Sequence, residues 1–183
     1  HAVCLFPDLD GTMAFDAFVA KRRCSIPNRA DIFGHQYLTD EEDAVCGEIE
    51  ELLIPATDLS LAEAHDEVTR RGGVLYPAHI DRTSNGILAV LGTFPPTPLF
   101  TAYELHDGGR ADALTASHPL LSELVRTVSS DAHHLWDIAE ADFALRRTRG
   151  FQKDKLLGRI ALHKMTSFLL LIDSCARRHK KLK

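Results

Sequence analysis

The sequence is poor in the residues that staple a chain together or carry it through a membrane. Its four cysteines, Cys4, Cys24, Cys46 and Cys175, include no C-x-x-C pair. A zinc ribbon and a thioredoxin-like motif are therefore excluded, and so few thiols in 183 residues do not make a disulfide framework. Reduced thiols point to a cytoplasmic protein. The longest apolar runs, such as Phe168 to Ile172, are far too short to span a bilayer. Nothing basic precedes an apolar stretch at the start, so residues 1–6 lack the form of a signal peptide. There is no internal repeat and no low-complexity tract.

What is present suits a globular protein. The chain is 45% hydrophobic and 26% charged, enough apolar residue for a core and too much for a mainly disordered chain. Its length suits one domain and a tail. The formal charge of −5 hides an asymmetry. Residues 1–150 carry 12 Lys/Arg against 24 Asp/Glu, a balance of −12, whereas residues 151–183 carry 9 against 2, a balance of +7. The break divides the chain into a 1–150 domain and a basic 151–183 tail. An acidic body disfavours long nucleic acid as a partner.

The alternation of elements predicts an α/β architecture with parallel strands. Residues 1–6 are a short apolar run, by length a buried strand. Because that strand opens the chain at His1, the sequence reads as the continuation of a domain that begins upstream. Met13, Ala14, Ala17, Phe18 and Ala20 suggest a short helix with an apolar stripe. Residues 25–38 look like loop. Thr39 with Glu42 fits a capping box, which predicts a helix continuing through Ala44 to Ile54. Ser60-Leu61-Ala62-Glu63 is a second capping box, opening a helix to about Arg71 that Gly72-Gly73 ends. Strands are predicted over Val74 to Ala78, Leu99 to Leu105 and Thr127 to Ser129. In the tail, Leu157, Ala161, Met165, Phe168, Ile172 and Cys175 fall at helical spacing and predict one amphipathic helix. It packs on the domain, meets a membrane surface or partner, or, given the composition break, is foreign to the domain before it.

Two segments place polar side chains directly after an apolar strand: Tyr76-Pro77-Ala78-His79-Ile80-Asp81-Arg82 and Ser129-Ser130-Asp131-Ala132-His133-His134. Ligands gather at the carboxyl ends of strands in parallel α/β folds. Asp131 and His133, at i and i+2, are expected on one face, with His134 pointing away. A carboxylate and an imidazole together suit Zn, Mn or Fe. Taken alone, a His at a strand end is more often a hydrogen-bonded structural residue, so the signal lies in the two segments together.

These segments, with the opening HAVCLF, resemble the later motifs of the PHP (polymerase and histidinol phosphatase) superfamily of metal-dependent phosphoesterases. The resemblance covers about residues 1–145, through HAVCLF, GGVLYPAHIDR and VSSDAHHLWDI. It implies a distorted TIM-like barrel of seven strands, present here in part; the C-terminal helix rests on the spacing in the tail, which shares no resemblance with the family. The resemblance also implies a two- or three-metal cluster at the barrel's C-terminal face. His1 matches the single His opening the third-motif strand, and His79 matches the His of the fourth motif. Asp131 and His133 match the closing Asp-x-His. The resemblance thus makes His1, His79, Asp131 and His133 the metal ligands. The family's opening His-x-His strand, second-motif His and bridging Glu have no counterpart. His35, His65, His106, His118, His163 and His179 match no family motif.

The implied activity is hydrolysis of a phosphate ester of a small metabolite or nucleotide by metal-activated water. Arg82, three residues after His79, is a candidate phosphate clamp, since guanidinium grips phosphate bidentately; an exposed Arg or one paired with Asp81 is the alternative. Asp137 suits either a place behind the ligands or a helix N-cap, and Glu104, at a strand end, is expected at the surface, with a place facing the cleft as the alternative. Four ligands do not fill a three-metal cluster, so weak binding of a single ion and little turnover are expected. A ligand-depleted, non-catalytic module acting in structure or partner binding is the alternative, and a simple mononuclear metal-binding protein the third. An incomplete barrel exposes strand edges and apolar surface, which favours association.

Overall fold

In the computed structural model the described residues are 1–138 and Leu170–Leu171. The first strand, β1 (Ala2–Leu5), is apolar throughout because both its faces are covered. Ala2 and Cys4 join the large core, while Val3 joins a smaller cluster on the opposite face. Helix α1 (Leu9–Ala20) follows, capped by the Asp8 carboxylate, which accepts from the Gly11 N–H at 2.7 Å. The helix lies where the sequence predicts it but turns another face inward. Thr12, Phe15 and Val19 are buried, whereas Met13, Ala14, Ala17 and Ala20 are exposed. Apolar residues lie on more than one side of this helix, so the spacing fits more than one stripe and does not decide which one packs inward.

The predicted helix over Ala44 to Ile54 is instead part of a β-hairpin. After the short α2 (Ala30–Phe33), β2 (Tyr37–Thr39) pairs antiparallel with β3 (Val45–Glu48). Turn chemistry defeats the Thr39–Glu42 capping pattern. The Asp40 carboxylate accepts from the N–H of Glu42 at 3.1 Å and of Ala44 at 2.8 Å, and Asp43 takes a positive φ of 67°. The Gln36 amide then holds the next segment extended. It donates to the carbonyls of Ile49 and Glu51 and accepts from the Leu53 N–H.

The second capping box forms as predicted. Ser60 caps α3 (Leu61–Arg70): its hydroxyl accepts from the Glu63 N–H, and the Glu63 carboxylate accepts from the Ser60 N–H at 3.0 Å. Gly72, at φ +74°, ends the helix. On the inward face, buried Glu67 is paired with Arg70 and Arg71. Strand β4 (Val74–Pro77) returns the chain beside β1, followed by the short helix α4 (Ile87–Leu91).

The β1–β4 pair is antiparallel, Ala2 opposite Pro77 and Leu5 opposite Val74, which corrects the expectation of parallel strands throughout. Among the described residues only β5 (Ala102–Leu105) and β6 (Val125–Val128) pair parallel, joined through α5 (Ala111–Ser117). Parallel pairing needs such a crossover, and β5–β6 has one within reach. Strand β7 (Leu170–Leu171) lies on the other edge of β1. These two residues fall inside the predicted tail helix and are strand instead; the rest of that helix lies outside the described residues.

Among the described residues the sheets are β4-β1-β7, β2-β3 and β5-β6, and none closes on itself. Alternation sorts their side chains. Ala2, Cys4, Leu75, Tyr103 and Leu105 face α1 and α3, with Phe15, Ala64 and Val68 between, while Val3, Tyr76, Ala78 and Ala102 share the other face. No helix among the described residues is long and apolar enough to cross a membrane.

Two predictions follow from this packing. Replacing Ser60 by Ala removes the N-cap acceptor and lowers stability by about 1 kcal/mol in urea titration. The Ser60 hydroxyl and N–H also hold the Glu63 carboxyl below the usual glutamate value. That contribution is present above the unfolded pKa and is lost as pH falls through the lower folded value, so the gap between wild type and Ser60→Ala narrows in acid. Cys4 is buried and its thiol is pushed up by desolvation, whereas Cys24 and Cys46 are exposed. Iodoacetamide mapping by mass spectrometry should label Cys24 and Cys46 in the folded chain, and Cys4 only after denaturation.

Candidate functional site

The site is built where β4 ends beside the start of β1. The Ala78 N–H donates to the His1 carbonyl at 3.2 Å, so the pairing continues one step beyond the strands. The chain then turns sharply. His79 takes a positive φ of 31°, and Ile80 crosses to the neighbouring strand, its N–H donating to the Glu104 carbonyl at 2.9 Å. Gly86 packs onto this turn. A Cβ there would lie 2.7 Å from the Arg82 carbonyl oxygen and 3.0 Å from that of His79.

This geometry brings His1 and His79 together. His1 Nδ1 lies 2.9 Å from His79 Nε2, with the rings nearly perpendicular. The His1 backbone nitrogen donates to the Asn85 carbonyl at 3.0 Å, which fixes the other side of the loop. His79 is 2% exposed, and its Nδ1 is a buried nitrogen with no hydrogen-bond partner. Burial holds the imidazole below the ordinary histidine value; the Asp131 charge opposes this, and His1 and Arg82 add to it.

Asp131 reaches the same region from the end of β6. Its carboxylate accepts from Arg82 at 2.5 Å, and only 8% of its side chain is exposed. Arg82 is therefore partnered with Asp131 and not with Asp81. Strand β6 stops at Val128, and Asp131 has a positive φ of 49°, so the strand alternation does not carry on to it. Asp131 and His133 accordingly do not act as one strand face. His133 is exposed and its Nδ1 sits 2.6 Å from the Asp131 carbonyl oxygen. The His134 ring stacks on exposed Trp136. Asp137 is not an N-cap: it closes the turn Leu135–Asp137, and its carboxylate reaches back to accept from the His134 N–H at 3.1 Å.

Backbone strain concentrates here. The non-glycine residues with positive φ among those described are Asp43, His79, Asn85 and Asp131, and the last three build this site. Each such conformation costs roughly 1–3 kcal/mol and persists only where surrounding contacts over-determine it.

Two buried carboxylates brace the surrounding turns, one of them at His79 itself. Glu104, expected at the surface, is 6% exposed, and it accepts from the His79 N–H at 3.3 Å. Burial, and after it the neighbouring Glu104, pushes the Tyr76 hydroxyl up. Asp81 is also buried and accepts from the N–H groups of His106 and Asp107, each at 2.8 Å. The signal for Glu104 was its place two residues after Ala102, on the same face of a fully buried strand.

The arrangement offers two touching imidazoles, one with an unpartnered nitrogen, and a guanidinium–carboxylate pair beside them. It fits part of a metal's ligand set. Among the described residues, no three His, Cys, Asp or Glu side chains are grouped to hold a metal. No family model, curated protein or solved structure matches the chain.

Gly86→Ala tests how tightly the turn is built. Overpacking against backbone carbonyls is expected to cost about 1–3 kcal/mol in urea unfolding and to shift the His79 resonances.

Proposed function

We propose that this chain carries part of a metal-dependent phosphoesterase site of the PHP type, with His1, His79 and Asp131 as metal donors and His133 as a further donor in the same loop. The observation that carries it is the 2.9 Å approach of His1 to His79, two residues 78 positions apart, beside the buried, unpartnered Nδ1 of His79. Imidazole and carboxylate donors suit Zn, Mn or Fe. A divalent ion held there acts as a Lewis acid on a phosphoryl oxygen and lowers the pKa of bound water from 15.7 toward about 7. Arg82 binds a phosphate oxygen through the guanidinium nitrogens that do not face Asp131. The substrate is a small phosphate ester or nucleotide, and the compartment is the cytoplasm. The fold that goes with this reading is a partial seven-stranded, TIM-like barrel, with the β4, β5 and β6 ends forming its C-terminal face.

A second reading is favoured by the donor count. Because no three donors are grouped among the described residues, the chain also suits a ligand-depleted, non-catalytic PHP module. Calorimetric titration of the full chain with Mn²⁺ or Zn²⁺, followed by p-nitrophenyl phosphate turnover, separates the two. Binding of about one ion is expected, weakened roughly tenfold or more by His79→Ala and by Asp131→Ala. Binding with measurable turnover supports the enzyme, and binding without turnover supports the depleted module. No binding of either ion at millimolar concentration overturns the metal site.

A further inference from the structure

Glu104 and Asp81 are buried carboxylates on neighbouring strand ends, and each grips the backbone of the other's loop. Glu104, on β5, accepts from the His79 N–H just past β4. Asp81, just past β4, accepts from the N–H groups of His106 and Asp107 just past β5, one with each carboxylate oxygen. A main-chain bond from the Ile80 N–H to the Glu104 carbonyl lies between them. Arg110 closes the arrangement by donating to the Asp81 carbonyl.

A buried carboxylate is costly unless its lone pairs are satisfied. An apolar side chain would fill the same space more cheaply, so packing alone does not account for two of them. Both instead accept N–H groups of strand-end turns that the β-ladders leave without strand partners. One of those groups belongs to His79, whose positive φ requires outside support.

We infer that Asp81 and Glu104 form a reciprocal clasp between the loops after β4 and β5, and that Glu104 is a positioning residue for His79. The clasp holds the His79 backbone in its left-handed turn and so aims the imidazole at His1. The effect on metal affinity rests on the proposed metal site; the effect on His79 placement does not.

The test compares Glu104→Gln, which keeps an acceptor oxygen for the His79 N–H, with Glu104→Leu, which fills similar volume without one. The readouts, on the full chain, are the His79 backbone amide and ring NMR signals, assigned by comparison with His79→Ala, and the Zn²⁺ dissociation constant. Glu104→Leu is expected to move both His79 signals while the amides of α3 stay in place, and to weaken Zn²⁺ binding about 10–100-fold. Glu104→Gln should restore the His79 signals and bring affinity back to within about threefold of wild type. A folded Glu104→Leu chain with unmoved His79 signals overturns the clasp, as does a Glu104→Gln chain displaced as far as Glu104→Leu. Wild type that binds no Zn²⁺ overturns the metal site alone, and the NMR comparison still decides the clasp. Should Glu104→Leu not fold, Asp81→Asn decides by the same signals, because it turns one acceptor of the clasp into a donor. Displaced His79 signals support the clasp, and unmoved ones overturn it.

Discussion

Ala2 lies opposite Pro77 in the antiparallel β1–β4 pair, and one step further out His1 meets the turn that carries His79. The rest of the site depends on this register. A slip of one residue would put Val3 among the helices and Ala2 and Cys4 on the opposite face, since side chains alternate along a strand. It would also carry His1 to the wrong side of the sheet. The register is held because both faces of β1 are buried, so each alternate residue has a core that accepts it.

Around that register the molecule balances unfavourable terms against specific contacts. His79 and Asp131 are held in left-handed backbone, and His79 is buried with a ring nitrogen unpartnered. Glu104 and Asp81 are buried carboxyl groups. The buried carboxyl groups are offset by turn N–H groups and, at Asp131, by Arg82. The result is a junction of three strand ends tied together by these contacts.

Several features were legible from residue order. The Ser60–Glu63 capping box, the Gly72 stop and the strand before His79 depend on neighbours within a few positions, and local chemistry settles them. The Thr39–Glu42 box used the same pattern and failed, because Asp40 takes the Glu42 N–H, and that of Ala44, in a tight turn while Gln36 secures the segment beyond. Helix α1 was legible but its buried face was not, since a helix apolar nearly all round carries no direction of its own. Glu104 was misplaced because an acid within four residues of strand does not reveal whether its backbone neighbours need an acceptor.

Residue order by itself determined which segments carry imidazole and carboxylate groups directly after apolar strands, because that is a matter of adjacency along the chain. Only the tertiary structure decided that His1 touches His79, that Arg82 takes Asp131 instead of Asp81, and that His133 turns to a carbonyl. Those choices are made by strand direction and by backbone turns of positive φ, and both are set by contacts between residues far apart in sequence.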